Sequence, residues 1–262
     1  MINFQQEGIT AVVLDMDGVL WRESEPIGDL PAIFRKFDEE NIKVVLATNN
    51  AMKSVSQFVS KINNFGVKLE EWQIATSAQA VSFYLKQKYP IQTKVHVVGM
   101  DSLKTEISEA GYILCDSNVA AVIVGVDRDI TYDKIKIANR LIREGAEFIG
   151  TNPDKTYPTP EGLAPGAGSI IAAVAAAAER EPVFVGKPGK ILMDLSISKF
   201  IGIQKNQILM VGDRLETDIA AGQACGCRTA LVLSGVTTRE MAEKWLPKPD
   251  YICFDLSELV GV

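Results

Sequence analysis

Short apolar, β-rich runs recur along the chain at residues 10–14, 42–47, 94–99, 119–126, 147–150, 183–186, 208–211 and 228–233. Between them, apolar positions at helical spacing mark Leu30–Glu40, Val55–Asn64, Ala78–Lys88, Asp101–Ala110, Asp133–Glu144, Gly168–Glu179, Gly189–Ile201 and Glu216–Cys225. Runs without polar alternation suit strands buried on both faces, and their alternation with helices predicts an α/β fold with a mostly parallel sheet. Right-handed crossovers gather the carboxyl ends of such strands on one edge, where ligands bind near a switch in strand order.

Four of the runs end abruptly in polar residues: Leu14-Asp15-Met16-Asp17-Gly18, Leu46-Ala47-Thr48-Asn49-Asn50, Val185-Gly186-Lys187-Pro188 and Met210-Val211-Gly212-Asp213-Arg214. If all four strands share one sheet, these ends meet in one crevice. The stretch between the second and third, residues 50–183, is too long for a single crossover and carries its own strand and helix patterns. The reading is therefore a core of residues 1–79 and 180–262 with an α/β domain of residues 80–179 inserted in it; the alternative is one larger sheet.

At 262 residues, 47% hydrophobic and 23% charged, the chain has the composition of a globular protein of one large or two modest domains. A net charge of -6 argues against a general nucleic-acid binder or a binder of anionic membranes, while leaving room for one small anionic ligand. No apolar stretch is long enough to span a bilayer, and residues 1–10 lack the basic and apolar regions of a signal peptide, so the expectation is a cytoplasmic chain. The cysteines (Cys115, Cys225, Cys227, Cys253) form no C-x-x-C pair, and reduced packing thiols are expected. The one histidine, His96, excludes sites built on two or three His ligands. Chemistry here must run on carboxylates, lysine, hydroxyls and amides.

Asp15 and Asp17 deliver two carboxylates from the end of a buried strand. Taken alone, Asp-x-Asp-Gly is either a solvated turn or a pair whose repulsion a cation relieves. Asp15, Asp17 and Asp213 can supply an oxygen-rich Mg²⁺ site, with the Asp17 carbonyl serving as ligand and its carboxylate left for proton transfer. Lys187 brings a positive charge, Thr48 a hydroxyl and Asn49 amide donors, a set that suits a phosphoryl group. Without a His base, direct attack by Asp15 on phosphorus is the economical route, with Asp17 as acid and then base. Asp218 either binds a metal-bound water or orients Lys187, and as a first-turn acid it also suits a helix dipole.

These motifs, in this order, resemble the haloacid dehalogenase superfamily of aspartyl-phosphate phosphatases: Asp15-Met16-Asp17-Gly18, Thr48, Lys187, and Gly212-Asp213-Arg214-Leu215-Glu216-Thr217-Asp218. Thr48-Asn49-Asn50, Gly186-Lys187-Pro188, Thr151-Asn152-Pro153-Asp154 and the stretch Pro158–Ser169 are similar to the NagD-like, p-nitrophenylphosphatase-type subfamily. The resemblance implies a Rossmann-like core with an inserted cap that sets substrate specificity. It implies Mg²⁺-dependent hydrolysis of a small phosphorylated metabolite, with Asp15 as nucleophile, Asp17 as acid/base and Lys187 assisting. It implies metal ligation by Asp15, Asp17 and Asp213, with Asp218 behind them, and phosphate or substrate contacts from Thr48, Asn49, Asn50, Lys187 and Asn152. Ala51 departs from the Ser often found there in relatives.

Between Asn152 and Ser169 the prolines Pro153, Pro158, Pro160 and Pro165 stiffen the chain. This stretch is read as a loop lining the leaving-group pocket, with Asn152 and Glu161 involved there, or else as a connector with a helix start at Gly166 to Ser169. Trp21, Trp72 and Trp245 are read as packing or surface anchors. A phosphomutase or phosphotransferase, and a phosphate-binding regulator without catalysis, stay open beside hydrolysis. A homodimer paired through cap residues is an open expectation.

Overall fold

The computed structural model describes residues 2–159 and 161–262, so Pro160 lies outside the described residues. Its strands are β1 (Ala11–Leu14), β2 (Trp21–Arg22), β3 (Glu25–Pro26), β4 (Lys43–Thr48), β5 (Ile74–Thr76), β6 (Lys94–Val98), β7 (Ile113–Leu114), β8 (Ala121–Val124), β9 (Glu147–Gly150), β10 (Thr156–Thr159), β11 (Gly162–Pro165), β12 (Val183–Phe184), β13 (Ile208–Gly212), β14 (Arg228–Val232) and β15 (Tyr251–Cys253). The chain divides into two compact units. One comprises residues up to Thr48, Val55–Ala75 and Lys187–Val262; the other comprises Asn49–Ser54 and Thr76–Gly186.

The first unit is built on a six-stranded sheet in the order β15-β14-β13-β1-β4-β5. β1 runs parallel to both neighbours, with Leu14 opposite Val211 on one side and Leu46 on the other. β1 and β13 are buried at every position, as a strand covered on both faces must be. One face rests on a core that includes Val12, Leu14, Val44, Leu46, Ile33, Phe37 and Leu259. The helix Leu30–Glu39 supplies part of it; Asp29 caps that helix by accepting from the Ala32 N–H at 3.0 Å. On the other face the helix Lys190–Ser198 packs against β4 through buried Leu192 and Met193. From β1 the chain proceeds to β4 on one side and later returns to β13 on the other, so strand order switches at β1. The carboxyl ends of β1, β4 and β13 therefore flank the crevice where such sheets take ligands.

The second unit holds a five-stranded sheet, β12-β9-β8-β6-β7, whose pairs are all parallel. Its core joins Val122, Val124, Phe148, Leu141, Ile142, Ile171 and Val174. The strand before Lys187 belongs here and not to the first sheet: Val183 and Phe184 pair with Ile149 and Gly150. Pairing continues past them, the Val185 and Gly186 N–H groups donating to the Gly150 and Thr151 carbonyls. The idea of four strands in one sheet is thereby corrected to three, with Lys187 arriving from outside. The units divide at Ala75/Thr76 and Gly186/Lys187, and Asn49–Ser54 goes with the second. The proline-rich stretch read as a loop is largely a hairpin of antiparallel β10 and β11. Its base is fixed by the Gly168 N–H, which donates to the Asp154 carbonyl at 2.9 Å.

Candidate active site

Asp15 stands one residue past β1, its N–H still donating to the Val211 carbonyl of β13 at 2.9 Å. The chain then turns sharply. Gly18 adopts a left-handed φ of 85°, and a Cβ there would come within 2.6 Å of Asp213 Oδ2, so geometry and space both call for glycine. Within this turn Met16 is buried and Asp17 exposed. The Trp21 indole N–H donates to Asp17 Oδ1 at 2.8 Å, which orients the carboxylate. Trp21 is buried, as a packing residue should be, but this hydrogen bond also gives it a part in the site.

Lys187 is the hub. It is 1% exposed, and a buried ammonium persists only with partners. Its Nζ donates to Asp15 Oδ1 at 2.5 Å and to the Ala47 carbonyl at 3.0 Å, and meets Asp218 Oδ1 at 2.7 Å. It thus joins the ends of β1 and β4 to the segment after β13. That segment, Leu215–Ile219, winds in wide turns, with the Ile219 N–H reaching the Arg214 carbonyl five residues back. Asp218 Oδ2 accepts from the Arg214 N–H at 3.1 Å. Gly212 makes room for it, since a Cβ there would lie 2.1 Å from the Asp218 Cβ.

Asp213 follows β13 and is 2% exposed. Its Oδ2 accepts from the Val236 N–H at 2.8 Å. Its Oδ1 is buried and has no hydrogen-bond partner among the described residues. An oxygen from each of Asp15, Asp213 and Asp218 lies within 4.8 Å of the others. The converging carboxylates are therefore Asp15, Asp213 and Asp218; the Asp17 carboxylate turns to Trp21 instead. Thr48 is buried at the end of β4, directly after the carbonyl that Lys187 grips.

Burial pushes the Asp15 carboxyl well above the usual carboxylate range; Lys187 pulls it down, and Asp218 and Asp213 add to the rise. Asp213 is pushed up to about 7, by burial first and then by Asp218, with the Val236 N–H opposing. Burial alone would lower the Lys187 ammonium, but Asp15 and Asp218 outweigh it and hold Lys187 above its ordinary value. Three acids cluster around one lysine, and Asp213 keeps a buried oxygen with no hydrogen-bond partner among the described residues. An all-oxygen donor set of this kind fits a hard divalent cation.

The second unit holds the rest of the Thr48-Asn49-Asn50 motif. The Asn49 carbonyl accepts from Ser77 Oγ at 2.5 Å and from Asn152 Nδ2 at 2.7 Å, while Asn49 Nδ2 donates to Asp154 Oδ2 at 3.1 Å. Asn50 Oδ1 accepts from the Met52 N–H at 2.8 Å. Asn152, placed by the sequence at the leaving group, is buried and holds the Asn49 peptide; its Oδ1 takes the Asp154 N–H. Glu161 is exposed between β10 and β11.

Residues 234–237 escaped the sequence reading. Ser234 Oγ donates to the Gly18 carbonyl at 2.7 Å, and the Thr237 N–H donates to the Asp213 carbonyl at 3.2 Å. A Cβ on Gly235 would sit 1.9 Å from Asp213 Oδ2. The available signal was Ser-Gly directly after an apolar strand.

Comparison with known proteins agrees with this geometry. The profile of the family described as Haloacid dehalogenase-like hydrolase matches residues 12–113, and a second, HAD-hydrolase-like profile matches residues 184–259. Phosphoglycolate phosphatase 1A of Arabidopsis thaliana is 36% identical over 97% of this chain and 77% of its own length. A p-nitrophenyl phosphatase from Archaeoglobus fulgidus superposes with a TM-score of 0.90 at 32% identity, covering 97% of this chain and 98% of its own. NagD from Escherichia coli K-12 does so with a TM-score of 0.88 at 30% identity, over 95% and 98%. The chain belongs to the haloacid dehalogenase-like hydrolases, in their NagD-like, p-nitrophenylphosphatase-type branch. It is a phosphatase of that kind. No helix among the described residues is long and apolar enough to cross a membrane.

Proposed function

We propose that the protein hydrolyses small phosphate monoesters, such as sugar phosphates, nucleoside monophosphates and p-nitrophenyl phosphate, with Mg²⁺ and through an aspartyl-phosphate formed on Asp15. The observation that carries this reading is Lys187, buried between Asp15 and Asp218, whose carboxylates cluster with that of Asp213. Asp15, Asp213 and Asp218 would hold the cation, the Asp17 carbonyl adding a further oxygen. Bound there, Mg²⁺ would offset the charge of the phosphoryl oxygens.

The protein's own groups divide the chemistry. A carboxylate oxygen of Asp15, paired with Lys187, attacks phosphorus as the ester P–O bond breaks. Asp17, oriented by Trp21 and on the exposed side of the turn, gives its proton to the leaving oxygen. It then takes a proton from the water that attacks the acyl phosphate, which frees inorganic phosphate and returns Asp15 to its carboxylate. Thr48 supplies a donor to the phosphoryl oxygens, and Asn152 keeps the next residue, Asn49, in place. Asp15→Asn is expected to abolish hydrolysis of p-nitrophenyl phosphate while leaving the circular dichroism spectrum and melting temperature close to the parent's. Turnover by that variant at the parental rate would rule the mechanism out.

A further inference from the structure

Arg22 is exposed, in the short hairpin of β2 and β3, where Glu25 lies opposite it in register. Among the described residues it pairs with no carboxylate. Its Nε and Nη2 both donate to the Ser234 carbonyl, at 2.7 and 2.5 Å, from 212 residues away. Two N–H groups of one cation on a single carbonyl form a charge-assisted clamp. Successive residues of a strand point to opposite sides, so Trp21 turns to Asp17 while Arg22 reaches the turn after β14.

That turn is what holds Asp213. The Val236 N–H donates to Asp213 Oδ2 at 2.8 Å, and the Thr237 N–H donates to the Asp213 carbonyl at 3.2 Å. Ser234 is tied to the hairpin's root as well, its Oγ donating to the Gly18 carbonyl at 2.7 Å. All of these residues belong to the first unit. A Ser-Gly turn has little of its own to stiffen it, because glycine leaves the backbone wide freedom. The nearness of Gly235 to Asp213 also leaves no room there for a side chain that would restrict it. Stiffness has to come from a neighbour. We infer that Arg22 is a positioning residue for the cation site: it clamps the Ser234 carbonyl and so keeps the Val236 N–H on Asp213. The inference rests on the reading that Asp213 helps to hold Mg²⁺. It adds that the hairpin orienting Asp17 also secures the cation's carboxylate.

The test is Mg²⁺ binding to the full, EDTA-stripped chain by calorimetry, with the Mg²⁺ dependence of p-nitrophenyl phosphate hydrolysis beside it. The sign of the effect is diagnostic. Acting only through its charge, Arg22 would repel a divalent cation, and its removal would tighten Mg²⁺ binding. Acting through the turn, its removal loosens Asp213. Arg22→Met, which keeps an apolar stem and loses the donors, is expected to weaken Mg²⁺ about five- to tenfold, and Arg22→Ala to match it. The Mg²⁺ concentration for half-maximal turnover should rise by the same factor, with kcat at saturating Mg²⁺ within about twofold of the parent. Arg22→Lys keeps a charged donor and is expected to stay within about threefold. Arg22 is exposed, so the melting temperature of the cation-free variants should remain close to the parent's. Unchanged or tighter Mg²⁺ binding by Arg22→Met overturns the inference. So does an Arg22→Lys variant as impaired as Arg22→Met, or a loss of affinity matched by a fall in the melting temperature of the cation-free protein. Those outcomes, with a parent that binds Mg²⁺ and turns over, remove this inference alone. A parent that shows no Mg²⁺ binding and turns over equally well in EDTA removes the Mg²⁺ reading and this one with it.

Discussion

At the scale of single residues, Lys187 carries more of the site than any other side chain. It gains nothing from burial on its own account; two carboxylates and a carbonyl hold it there. Removing the ammonium leaves Asp15 and Asp218 as buried like charges. Lys187→Ala is therefore expected to lower stability by about 3–5 kcal/mol and turnover by at least about a hundredfold. Urea unfolding and steady-state kinetics check the two parts separately. Lys187→Arg should not restore activity, since a planar guanidinium cannot reach three acceptors from the point an ammonium occupies.

At the scale of elements, the turn after β14 is as much a part of the site as the four sequence motifs. Gly235→Ala would drive a methyl group into the Asp213 carboxylate. An about ten- to hundredfold loss of Mg²⁺ affinity is expected, measured by calorimetry, with a much smaller change in melting temperature. This turn also marks where reading the sequence stops. Asp15, Lys187, Asp213 and Asp218 were legible because each stands after an apolar run or in a spaced acid pattern. Ser234, Gly235 and Val236 were not, because their role lies in backbone N–H groups and missing Cβ atoms, which no side-chain pattern announces. β12 was legible as a strand but not as a member of the second sheet, since two residues carry no information on partners. β5 and β15, at three residues each, are too short for periodicity to show. Between Asn152 and Ser169 prolines and glycines spoke for a loop, yet an antiparallel hairpin tolerates Pro158 and Pro165 because it is only two strands wide and each has an open edge.

At the scale of the molecule, the cluster of acids ties folding to pH and to cations. Asp213 sits near 7 and Asp15 also lies high, while both return to about 4 in an unfolded chain. A carboxyl group whose pKa is higher folded than unfolded adds stability that is complete below the unfolded value and is lost as pH rises through the folded one. Cation-free protein is thus expected to lose stability between about pH 4 and pH 7, and Mg²⁺ should raise the melting temperature more at pH 8 than at pH 5. Equal shifts at both pH values, in melts with EDTA and with Mg²⁺, would argue against cation binding by these carboxylates. The division of the chain has a separate consequence, for recombination. The polypeptide passes between the units at Thr48/Asn49, Ser54/Val55, Ala75/Thr76 and Gly186/Lys187. A chimera that imports only the long segment would leave the host's six-residue piece facing foreign partners at Ser77, Asn152 and Asp154. Any transplant of the second unit between relatives is therefore a transfer of two pieces, the smaller of which, Asn49–Ser54, directly follows β4 of the host.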